Sequence, residues 1–124
     1  MLSDWNTHTM IPVADLERAR RFYEEKLGFE PGREMPGLRF YNSGGSEFAI
    51  YVTEFTGTGK QTVMGWETQD LDREMEHLRS RGIAFEEYDM PDLKTVNGIA
   101  TVPGGRSAWF VDTEGNTLAI FQAD

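Results

Sequence analysis

One order of short motifs occurs twice along this chain, and no other feature constrains the fold as strongly. Asp15-Leu16-Glu17-Arg18 returns as Asp70-Leu71-Asp72-Arg73, 55 residues later. Leu27-Gly28-Phe29 returns as Arg81-Gly82-Ile83 at an offset of 54, and Phe48-Ala49-Ile50-Tyr51 as Leu118-Ala119-Ile120-Phe121 at 70. Self-similarity of this kind marks a duplicated supersecondary unit. The jump in offset places an insertion in the second copy, around Asp89 to Gly105.

Each copy reads as βαβββ, which gives an α+β fold. In the first copy, Trp5 to Val13 alternates as a strand. Asp15 then caps a helix whose apolar face is Leu16, Ala19, Phe22, Tyr23 and Leu27, and Gly28 stops it. Strands are predicted over 29–34, 38–42 and 48–53, with Asn42-Ser43-Gly44-Gly45 as a hairpin turn. Thr56-Gly57-Thr58-Gly59 has linker composition. The second copy repeats the plan: a strand over 62–68, a helix capped by Asp70 with Leu71, Met75 and Leu78 inward, then strands over 83–88, 108–112 and 117–122. The modules span about 5–55 and 61–122 within one domain of 124 residues. The insertion has loop composition with room for a short hairpin; it either covers a cavity or is a plain surface loop.

Composition removes several classes of function. Without cysteine there is no disulfide, thiolate nucleophile or zinc–sulfur site. A net charge of −9 opposes nucleic-acid binding, since phosphates are repelled at long range. No apolar run reaches the roughly 20 residues that span a bilayer, and Met1 to Asn6 lacks secretory character, so a cytoplasmic protein without membrane contact is expected. No dinucleotide fingerprint, phosphate loop or supported Ser/His/Asp set is present.

His8-Thr9-Met10-Ile11-Pro12-Val13-Ala14-Asp15-Leu16, followed by Arg21-Phe22-Tyr23 and Leu27-Gly28-Phe29, resembles the opening of a glyoxalase/bleomycin resistance/dioxygenase (vicinal oxygen chelate) protein. Gln69-Asp70-Leu71-Asp72 is similar to the family's second-module entry. Phe110-Val111-Asp112-Thr113-Glu114-Gly115-Asn116 resembles its closing turn, with Thr113 and Glu114 as substitutions. The resemblance implies two curved mixed sheets around a cavity and a homodimer that pairs modules across chains. It also implies a divalent metal held at four positions, which fall here on His8, Tyr51, Val63 and Ala119. The internal repeat independently carries His8 onto Val63. Valine and alanine have no donor atom and neutral tyrosine is a poor ligand, so no metal cofactor is expected. Glu54 and Glu67 lie near the relevant strands, but Glu67 is roughly 13 Å along the strand from Val63.

Strand alternation extends the candidate pocket. His8 brings Met10 with it, Tyr51 brings Thr53, and Val63 brings Glu67. Phe121 comes with Ala119, and the resemblance implies a substrate contact three residues before the turn aspartate, at Trp109, whose face Ser107 shares. Trp66 and Phe110 have the opposite parity and are expected under the helices. His8 is open to three readings: a structural histidine, a polar anchor for a ligand, or a remnant metal ligand. His77 reads as a solvated surface residue. An aromatic lining with few polar groups suits a flat organic molecule, although the same aromatics can simply fill a core. The expected function is metal-free binding of an apolar or aromatic small molecule, in the manner of bleomycin-resistance proteins. The alternative is a lyase- or dioxygenase-like enzyme with a rearranged site that uses His8, Tyr51 or Glu67. A role in association with a partner protein also remains open.

Overall fold

The computed structural model describes Met1–Asp124. After a short turn of 3-10 helix at Leu2–Asp4, the first module runs β1 (Thr9–Val13), α1 (Leu16–Arg21), β2 (Glu34–Met35), β3 (Leu38–Ser43) and β4 (Ser46–Val52). The second runs β5 (Thr62–Glu67), α2 (Leu71–Ser80), the small hairpin β6 (Asp89–Met90) and β7 (Leu93–Lys94), then β8 (Ala100–Val102), β9 (Gly105–Val111) and β10 (Thr117–Ala123). Two mixed four-stranded sheets result, ordered β1-β4-β3-β2 and β5-β10-β9-β8. In each, the first strand lies parallel to the last and the other pairs are antiparallel. The duplication read from the sequence is therefore a duplication of topology.

Both helices start where a side chain satisfies an orphan backbone donor. The Arg18 amide donates to Asp15 Oδ1 and the Arg73 amide to Asp70 Oδ1, each at 3.1 Å. α1 ends early as a regular helix, and Phe22–Lys26 continues it as one wider π turn that keeps Phe22 and Tyr23 buried. One core joins the modules. Ile11, Val13 and Ile50 of the first sheet share it with Phe110, Leu118 and Ile120 of the second, and both helices face it. Each large aliphatic side chain buried there contributes about 1.5–3 kcal/mol. No helix is long and apolar enough to cross a membrane.

Three predicted strands need correction. The segment 5–13 is a strand only from Thr9. The segment 29–34 is not a regular strand: the Gly32 amide donates to the Phe40 carbonyl and the Phe40 amide to that of Arg33, an irregular pairing ahead of β2. A Cβ on Gly32 would sit 2.6 Å from the Phe40 oxygen, so this close approach requires glycine. The segment 83–88 makes only one bridge, Phe85 with Phe110. The edge of β9 has two occupants, and β8 from the insertion takes the half at Gly105–Ser107. The insertion thus supplies the outer strand of the second sheet.

The turn between β9 and β10 ties one module to the other. Glu114 Oε1 accepts from the Ala14 and Asp15 amides at 2.9 and 3.0 Å, and Arg18 grips both carboxylate oxygens at 2.7 and 3.0 Å. The Tyr23 hydroxyl donates to Asp112 Oδ2 at 2.8 Å, and Asn116 Nδ2 to the Pro12 carbonyl at 2.9 Å. Burial pushes Tyr23 well above the ordinary phenol range, with the Asp112 charge adding to it. Burial also opposes ionisation of Glu114. Donation from Arg18, the Asp15 amide, Thr113 and the Ala14 amide outweighs it and holds the carboxyl at about 2, against the usual 4.5. Because the folded value is depressed, this stabilisation is complete above about pH 4.5 and is lost as pH falls toward 2. Glu114→Gln should cost about 2 kcal/mol at pH 7, a figure discounted for the half-exposed Arg18. Urea denaturation of both proteins at pH 7 and pH 3 checks this; the gap should shrink by more than half at pH 3.

Candidate functional site

The face of the first sheet turned from the shared core carries most of the first-module candidates. Met10 pairs with Ala49 and Pro12 with Tyr51, so these residues alternate with core-facing Ile11, Val13 and Ile50. Met10 is exposed and Tyr51 half-buried. His8 lies just before β1, with Nε2 2.9 Å from Glu47 Oε1. Arg33 donates to the same oxygen at 3.1 Å and lays its guanidinium 4.0 Å over the Phe40 ring. The edge of the His8 ring meets Phe40 at 5.3 Å. His8 is therefore a partnered, one-third-exposed imidazole on an aromatic floor. Thr53 serves the backbone locally, its hydroxyl accepting from the Phe55 amide at 3.2 Å. Glu47 was not singled out from the sequence, yet it is legible there: it is four residues before Tyr51 in β4, with the same parity.

The second sheet presents Trp109 opposite Ala119 and Ser107 opposite Phe121. The Trp109 ring meets Tyr88, the last residue before the insertion, edge-on at 5.6 Å. Ser107 is buried, and its hydroxyl donates to the Ile120 carbonyl at 3.2 Å. Val63 departs from expectation. The register slips between Thr62, opposite Thr117, and Met64, opposite Leu118, which leaves Val63 in a bulge packed against the core. The residue opposite Ala119 is Gly65. Trp66 and Phe110 pack at the core as expected, and His77 is exposed.

The candidates thus fall on two separate sheets rather than around one cavity in the chain. The two principal cavities lie instead at the seam between the modules. One, of about 280 Å³, is walled by Phe29, Trp66 and Phe110. The other, of about 390 Å³, runs past Thr9, Ser46, Glu47 and Met64. Of the sequence-predicted site residues only Glu67 lines them, and it borders both.

The profile of the glyoxalase/bleomycin resistance protein/dioxygenase superfamily matches residues 6–120. The chain belongs to that superfamily. No curated protein sequence matches it. Among solved structures of the same fold, a superfamily protein from Nocardioides is 24% identical with a TM-score of 0.73, covering 96% of this chain and 83% of that one. TnmS3, an antibiotic binding protein from Streptomyces sp. CB03234, is 24% identical with a TM-score of 0.68, covering 97% and 98%. FosX from Listeria monocytogenes, a fosfomycin resistance protein complexed with Mn(II), is 17% identical with a TM-score of 0.69, covering 97% and 90%. At these identities the likeness establishes the fold.

The four positions at which the resemblance implies a metal are His8, Tyr51, Val63 and Ala119, with Gly65 rather than Val63 opposite Ala119 in the sheet. That set offers one imidazole, already paired with Glu47, and one phenol. It does not fit a divalent cation, which needs several converging donors. Ser107→Ala should lower stability by about 1 kcal/mol in chemical denaturation, because its hydroxyl serves the sheet. Ligand affinity should be unchanged in the same variant.

Proposed function

We propose that this superfamily member binds an apolar or aromatic small molecule without a metal, holding it against the outer faces of its sheets. The observation that carries this reading is the donor-poor set at the four metal positions, set among Met10, Phe40, Tyr51, Trp109 and Phe121. Aromatic walls with a few polar anchors bind flat organic molecules through area burial and ring contacts. His8 and Arg33 on Glu47 supply the polar edge of the first face. TnmS3, with the same fold, is an antibiotic binding protein, which supports a sequestering role.

A second copy completes the site in this reading. Met10 and Met35 on the first outer face and Val111 on the second are exposed apolar side chains that a partner face would cover. Pairing the first-module face of one chain with the second-module face of its partner unites the two halves of the candidate list. Light scattering after size exclusion should give twice the 14.1 kDa chain mass at micromolar concentration. A monomer under those conditions counts against the shared site.

A second reading, an acid–base enzyme, rests on the His8–Glu47 pair, since a carboxylate orients an imidazole for proton transfer. Titration of tryptophan fluorescence with a panel of polycyclic aromatic compounds, followed by mass spectrometry of the recovered compound, separates the two. Sequestration predicts saturable quenching, an unaltered compound, and about tenfold or greater weakening in Trp109→Ala. A mass change abolished in His8→Asn would favour the enzyme. Elemental analysis should find no stoichiometric divalent metal; one tightly held ion per chain would overturn the metal-free reading.

A further inference from the structure

The seam cavity of about 280 Å³ lies on the helix side of the second sheet, away from the outer faces discussed above. Its wall is a pile of three rings. Phe29 of the first module stacks on Trp66 at 6.0 Å and 25°, and Trp66 stacks on Phe110 at 6.2 Å and 11°. Leu27 and Leu78 close the apolar part. At the mouth, Glu67 and Glu74 contribute carboxylates, both exposed and neither engaged in a hydrogen bond or ion pair. No lysine, arginine or histidine lines the cavity.

Stacking engages the faces of Trp66, so the rings offer an apolar wall for an aryl group, and the carboxylates attract cations through charge. An anion would meet only like charge here, on a chain of net charge −9, and a neutral ligand would leave the carboxylates unused. We propose that this cavity is a second binding site, selective for small organic cations in which an ammonium group is attached to an aryl body. The aryl body takes the space beside Trp66 and the ammonium sits between Glu67 and Glu74. The proposal goes beyond the outer-face reading and does not depend on it.

The three tryptophans make the two sites separately visible. In a ¹H–¹⁵N correlation spectrum the indole Nε1–H of Trp66, which donates to Ser43 Oγ at 3.1 Å, reports the seam, whereas that of Trp109 reports the outer face. Titration with phenethylammonium should shift the Trp66 resonance saturably and leave Trp109 in place. 2-Phenylethanol should bind about tenfold more weakly and phenylacetate not measurably. Glu67→Gln/Glu74→Gln, isosteric and exposed, should remove the preference of the cation over the alcohol while the spectrum stays that of the folded protein. Raising salt to 0.5 M should weaken phenethylammonium without affecting the alcohol. Equal shifts by all three probes, a shift at Trp109 alone, or an unchanged preference in the double variant would each overturn the proposal.

Discussion

Above the shared core, the polar junction between the modules is organised by one carboxylate. Glu114 stands in the last turn of the second module, yet its oxygens are spent on the first, where the chain leaves β1 and enters α1. The Ala14 and Asp15 amides point out of a helix entry and have no strand partner of their own. A buried carboxylate is costly unless several donors converge on it, and here two amides and a bidentate guanidinium do so. Asp112 acts beside it as an internal scaffold: its Oδ1 accepts from the Glu114 and Asn116 amides and shapes the turn that aims Glu114. The second module reaches its own helix entry differently, through Gln122 Oε1 accepting the Leu71 amide at 2.8 Å. The duplicated fold is thus closed by unequal contacts.

With the modules joined on their helix-bearing sides, the opposite faces of both sheets are left to the surroundings. This follows from parity. Each strand has one set of side chains, and the set that makes the shared core cannot also line a surface. On the first sheet the outer set builds a small polar-aromatic platform from His8, Glu47, Arg33 and Phe40. On the second, Trp109, Val111 and Phe121 share the face with Ser107 and Thr117, and Tyr88 packs edge-on against Trp109.

Much of the fold was legible because it rests on local rules. The caps at Asp15 and Asp70, the apolar helix faces and the hairpin at Ser43–Ser46 follow from spacing alone, and the repeat fixed their order. The outer strand of the second sheet was not legible, since Phe85 and Ala100 compete for one edge of β9 and only the packed structure divides it. The bulge at Val63 was hidden for a like reason: one extra residue changes which side chain faces Ala119, and nothing local announces it. Glu114 was visible only as a departure from the usual closing turn. Its role depends on groups about 100 residues away, which no pattern within the turn contains. The candidate site was legible in its residue types but not in its geometry, because Glu67 belongs to the seam and the others to two faces.

β1 is the outermost strand of its sheet, with one edge on β4 and the other open along the seam. An open edge of this kind can seed pairing with any extended chain, including another copy in a partly folded state. Pro12 has no amide hydrogen to offer such a chain, and its carbonyl is already taken by Asn116. Pro12, the fourth of the five residues of β1, is therefore silent as both donor and acceptor. The asparagine that helps hold the two modules together thus also removes one acceptor from the edge that the duplication left unpaired.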